Sequence, residues 1–184
     1  MRTIDIRGIT NMELVRGGTS EWYWATDYVD GDLYEAEELF RQKNSVQSNR
    51  LYLIHYPDGM VYEPVLPVDG QYLGYPVFDG ESVVLLVVNF TESAIHILRF
   101  LHQQEKTQEV VRLPLSAVKD CYNLILHPSP LSLTRQPNDG TFEIIWPEQI
   151  RFAISSRETL NFRDGDKLYF SIWYEDPDYR EETL

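Results

Sequence analysis

Four histidines, one cysteine and 29 acidic side chains are the residues of this 184-residue chain able to move protons, hold metals or act as nucleophiles. His55 and His127 occupy matching places, each closing an apolar run near a proline. Brought together, two such rings could ligate a metal or serve as a base. No pair among His55, His96, His102 and His127 has the His-x-His strand spacing or the i, i+4 helical spacing of common metal sites. The expectation is therefore strand-end rings hydrogen-bonded to turns, with no metal and no cofactor. Cys121 has no partner for a disulfide within the chain, and its neighbour Asp120 disfavours the thiolate, so it reads as a structural thiol.

The acids Asp27, Asp30, Asp32, Glu35, Glu37 and Glu38 cluster in a stretch with no Lys or Arg between Arg16 and Arg41. Their order is not the alternating one of a calcium loop. A carboxylate pair for glycoside cleavage is an unspecific signal in so acidic a chain. There is no Gly-x-Ser-x-Gly elbow, phosphate-cradling glycine loop or dinucleotide fingerprint. The most site-like feature is aromatic: Trp22, Tyr23, Trp24 and Tyr28 lie beside those acids. Trp22, Trp24, Asp27, Tyr28 and Asp30 are the candidate binding residues, an aromatic patch with an acidic rim. The competing reading places Trp22 and Trp24 in the core as one face of a strand.

The elements that would position these groups are strands. Six of the ten glycines directly follow an aspartate, at Asp30-Gly31, Asp58-Gly59, Asp69-Gly70, Asp79-Gly80, Asp139-Gly140 and Asp164-Gly165. Asp-Gly suits tight hairpins, where both central residues of a type I′ turn take positive φ. Strands are expected near 22–25, 50–56, 60–63, 72–78, 82–90, 94–101, 108–113, 122–127, 131–134, 141–146, 149–154 and 167–174. Val83 to Val88 lacks alternation and reads as a strand buried on both faces. One helix is expected over 32–42, opened by an Asp32/Glu35 capping box, with Leu33, Ala36, Leu39 and Phe40 on its apolar side. Residues 1–20 and 175–184 are expected to be peripheral.

The fold class is thus mainly β, a single domain of antiparallel hairpins. A sandwich or barrel is preferred over a short, propeller-like repeat with strand pairs near 51–63, 83–100, 122–134 and 142–154. A hydrophobic share of 43% and a charged share of 24% are those of a folded chain able to bury a core. The formal charge of −13 opposes phosphate backbones and anionic lipid surfaces, so neither nucleic acid nor membrane is expected as a partner. No apolar run has the length of a signal peptide or membrane helix, and the expected location is cytoplasmic. The leading expectation is a non-catalytic interaction protein that meets a basic protein partner through the acidic, aromatic-flanked surface. A carbohydrate-binding or carbohydrate-cleaving domain is the alternative, and self-association into a homo-oligomer a further one.

Overall fold

The computed structural model describes residues 3, 5, 8–27, 31–43 and 45–174. Four antiparallel sheets follow one another along the chain. Sheet A is the meander β1 (Glu13–Leu14), β2 (Trp22–Thr26), β3 (Leu51–His55) and β4 (Met60–Tyr62). Sheet B holds β5 (Gln71–Leu73), β6 (Val77–Phe78), β7 (Val83–Asn89), β8 (Ala94–Leu101) and β9 (Lys106–Pro114). Sheet C is β10 (Leu124–Pro128), β11 (Leu131–Arg135), β12 (Thr141–Trp146) and β13 (Ile150–Ala153); sheet D is the hairpin β14 (Glu158–Asp164) and β15 (Lys167–Ile172). One helix, α1 (Leu33–Lys43), joins β2 to β3. None of the sheets closes into a barrel, and their faces stack in a sandwich-like arrangement.

β7 organises the stack. All seven of its residues are buried, as the unbroken apolar run requires. Val83, Leu85 and Val87 meet Trp22, Trp24, Leu51 and Leu53 of sheet A. Val84, Leu86 and Val88 point the other way, into a core with Leu33 and Ala36 of α1 and Leu124, Leu126 and Leu133 of sheet C. The strand period of two therefore deals alternate side chains to two separate cores. Its edges are paired as well, with β8 on one side and β5 and β6 on the other.

The Asp-Gly doublets do end strands, by a different geometry from the type I′ turn. Those at 58–59, 79–80, 139–140 and 164–165 connect successive paired strands. Asp69-Gly70 leads into β5, and Gly31 lies ahead of α1. The glycine takes positive φ in every doublet, but none of the described aspartates does. Instead the carboxylates of Asp58, Asp79 and Asp139 accept from the backbone N–H groups of Met60, Glu81 and Thr141, two residues on. These are Asx-turns, in which the side chain imitates a backbone acceptor. Asp30 lies outside the described residues.

The helix begins as its sequence demands. Asp32 N–H donates to Glu35 Oε2 at 3.0 Å and Glu35 N–H to Asp32 Oδ1 at 2.9 Å, a reciprocal capping box. Glu37 was not among the apolar-side residues, yet it is buried, accepting from Cys121 N–H and from Arg41, both at 2.6 Å. A second buried charge, Arg135, bonds to Asp120 and Glu143 and ties the entrance of β10 to β11 and β12. Burial alone would raise the Asp120 carboxyl; the bonds from Arg135 and from Tyr122 N–H outweigh that and hold it below the usual carboxylate range.

Within the 1–20 segment, β1 pairs with β2, Val15 and Thr19 are buried and Arg16 bridges to Val77 of β6, while the other residues of 13–20 are exposed. Gly17 passes so close to Phe78 that an added Cβ would strike its carbonyl oxygen, which excludes any side chain there. β14 is a strand the sequence reading lacks. A bulge between Leu160 and Phe162 sends its two large apolar residues to opposite faces and erases the alternation. The 175–184 segment lies outside the described residues.

Adjacent truncations test the two-sided strand. Leu85→Ala and Leu86→Ala should each cost about 2–5 kcal/mol in urea unfolding, because each empties a different core. A strand covered on one face only would leave one of the two nearly neutral.

Candidate functional site

Trp22 and Trp24 are core residues. Their exposures are 6% and 7%, and both pack on the sheet A side of β7. Neither offers an open face. Asp27 is exposed, and its Oδ1 accepts from Arg50 N–H at 2.6 Å, fastening the end of β2 to the start of β3. Tyr28 and Asp30 lie outside the described residues. The other acids of the cluster also have internal duties, Asp32 and Glu35 in the cap and Glu37 in the core.

The structure gathers a different set around Trp22. His55 ends β3 directly opposite Trp22 on β2, in the register that places their side chains on one face. The β3–β4 turn returns Asp58, β4 carries Tyr62, and β8 of the neighbouring sheet ends where His102 begins a 3₁₀ turn. The His55 and His102 ring centroids are 4.6 Å apart, and the Trp22 ring lies 4.6 Å from His55 and 5.2 Å from His102. His55 Nδ1 is 2.7 Å from Asp58 Oδ2, and His102 Nε2 is 3.1 Å from Tyr62 Oη. One potential ligand atom from each of His55, Asp58 and His102 falls within 4.8 Å of the others.

Trp22, His55 and His102 border a cleft of about 380 Å³ between sheets A and B, which Glu21 and Glu81 also line; Asp58 and Tyr62 stand just outside that lining. The Asp58 carboxyl is held low, first by the Met60 N–H and then by its bond to His55. The Tyr62 hydroxyl is pushed up, first by burial and then by the charges of Asp58 and Glu105. Chemically the site combines two imidazoles, a stabilised carboxylate and a phenol, a set suited to cation ligation or proton exchange. Sequence spacing does not mark His102 as the partner of His55, since contact between two sheets brings them together.

The pairing of His55 with His127 does not occur at this site. His127 lines another cleft with Arg16 and bonds Thr134 Oγ1 at 2.9 Å across the β10–β11 ladder. The expected strand-end ring is present, but its partner is a residue of the neighbouring strand and not of a turn. Cys121 is buried, and burial followed by the Glu37 charge pushes its thiol far above the usual range, which disfavours the thiolate. A smaller, mainly apolar cleft of about 230 Å³ lies between α1 and β10, bordered by Tyr34, Tyr75 and Ile125.

Large apolar side chains are exposed most densely on sheet D. Phe162 of β14 and Tyr169 of β15 face each other across the ladder and stack at 4.5 Å with an interplanar angle of 12°. Trp173 extends the same face by the strand alternation, its N–H bonded to Arg157 O. The opposite face is anchored, with Phe170 edge-on to Phe142 and Phe152.

Among the described residues, no helix is long and apolar enough to cross a membrane. No family model, curated protein or solved structure matches this chain, so the arrangement of its own residues carries the functional reading.

His127 sets a pH signature. Burial, with a smaller contribution from Arg16, lowers its pKa from 6.5 to about 4. The neutral ring is favoured only in the fold, so the stability it lends is complete above pH 6.5 and is lost as pH falls towards 4, about 3 kcal/mol in all. His127→Gln, which cannot take up the proton, should flatten the stability profile through that window; urea midpoints measured across it check this. An unchanged slope would contradict it.

Proposed function

We propose that this chain is a non-catalytic, cytoplasmic binding protein whose contact surface is the outer face of sheet D and whose partner is a protein with a basic rim. One observation carries the reading. Phe162, Tyr169 and Trp173 are 50%, 41% and 63% exposed on a single hairpin face, although residues of this kind normally gain by burial. Stacked aromatics of this type form the anchors of protein interfaces, where Trp and Tyr supply most of the binding energy.

Charge chooses the partner. The sequence after Tyr174 brings Glu175, Asp176, Asp178, Glu181 and Glu182 against a single Arg180, and the chain as a whole carries −13. An apolar contact flanked by that sequence favours a partner with Lys and Arg around an apolar centre, and speeds its encounter. The single thiol is buried and unpaired, which suits a reducing compartment. The acidic and aromatic character expected of the contact is thereby kept, while its place moves from residues 22–30 to the hairpin. Burial of Trp22 and Trp24 weakens the protein-contact and the glycan readings alike at residues 22–30.

The test compares wild type with Phe162→Ser and Trp173→Ser in capture from lysate at low and high salt, alongside light scattering of the chain alone. The reading expects a retained protein that dissociates at high salt and binds each variant more weakly by about 2 kcal/mol or more, roughly thirtyfold in Kd. Capture indifferent to salt or to both substitutions would overturn it. So would concentration-dependent self-association abolished by the same variants, which would give the face to a second copy.

A further inference from the structure

We propose that His55, Asp58 and His102 form a binding site for a divalent transition cation of the zinc class, at the cleft between sheets A and B. The inference does not depend on the hairpin face. The three residues come from the end of β3, the β3–β4 turn and the 3₁₀ turn after β8, and their ligand atoms already lie within 4.8 Å of one another. In a tetrahedral site with bonds of about 2.0–2.1 Å, neighbouring ligand atoms stand roughly 3.3 Å apart. Closing the set around an ion thus asks for movements of at most about 1.5 Å, within reach of side-chain rotation in a turn.

The chemistry of the donors selects the ion. Imidazole nitrogens suit zinc, cobalt, nickel and copper, whereas calcium and magnesium prefer all-oxygen sites. Three protein ligands leave a further position for water or for a group of a bound molecule, and the cleft of about 380 Å³ gives that position room. No Lys or Arg lines the cleft, while Glu21 and Glu81 do, so the local field favours a cation. His55 Nδ1 and Asp58 Oδ2 stand 2.7 Å apart, so an ion bound by both would replace their hydrogen bond, the imidazole coordinating as its other tautomer.

The surrounding groups are arranged as a support. Tyr62 Oη, 3.1 Å from His102 Nε2, restrains that ring from outside the ligand set. Trp22 packs against both imidazoles and restricts their rotation. The His55 side chain is 16% exposed and that of Asp58 45%, so the imidazole is the more enclosed of the two. His96, with the same exposure, offers a contrast: it meets Glu92 and Glu109 without a second imidazole.

The test uses the full chain, stripped with a chelator and titrated with Zn²⁺ by calorimetry and with Co²⁺ by visible absorption. One ion per chain is expected, with the intense absorption of a four-coordinate cobalt site. His55→Gln and His102→Gln should each weaken binding at least about tenfold, Tyr62→Phe by roughly tenfold, and His96→Gln not at all. Circular dichroism and thermal melts establish that each variant is folded; Tyr62→Phe, which keeps the ring, reads the site even where a histidine variant does not fold. Absence of saturable binding, or binding equally strong in His55→Gln, His102→Gln and Tyr62→Phe, would overturn the proposal. Loss in His96→Gln of the same size would overturn it as well, by assigning the ion to the surface.

Discussion

Everything in this fold hangs on a strand that is buried from every direction. β7 is hydrogen-bonded along both edges and apolar on both faces. Sheet A and sheet C with α1 each build a core by covering a face of sheet B, and sheet C packs Phe142 against Phe170 of sheet D besides. A strand with one solvated face would support one layer and leave the other without an apolar surface to cover. The candidate cation cluster is a consequence of the same constraint. His55 belongs to sheet A and His102 to the end of sheet B's β8, so they meet only because Trp22, Leu51 and Leu53 press sheet A onto Val83, Leu85 and Val87.

Local chemistry was legible in the sequence wherever the interacting groups are neighbours along the chain. The Asp32/Glu35 box, the positive-φ glycines after aspartate and the unbroken run of β7 each follow from a few adjacent residues. Even there, one physical detail differed. The aspartates serve as acceptors for the turn and do not themselves take positive φ, an outcome that composition cannot distinguish from a type I′ turn. β14 escaped because its bulge breaks the period of two that a strand reading depends on.

The site was illegible for a different reason. Trp22 and Trp24 have the composition of a binding patch, and the same composition serves a core; only the position of sheet B decides between them. His55 finds its partner in another sheet, and no spacing rule covers that contact. The acids show the same principle. Asp27, Glu37, Asp79 and Asp120 are each bound to a backbone N–H or a guanidinium that closes a loop or joins two elements, contacts that adjacent residues do not reveal. What remains conspicuous is the apolar surface on sheet D that, among the described residues, no element covers.

Native-state hydrogen exchange resolved by residue tests the central strand most directly. If β7 holds the layers together, its amides and those of β8 are the slowest in the molecule and open only with global unfolding, while those of β14 and β15 exchange far sooner. Amides of β7 that exchange as quickly as those of the β14–β15 hairpin would contradict the account.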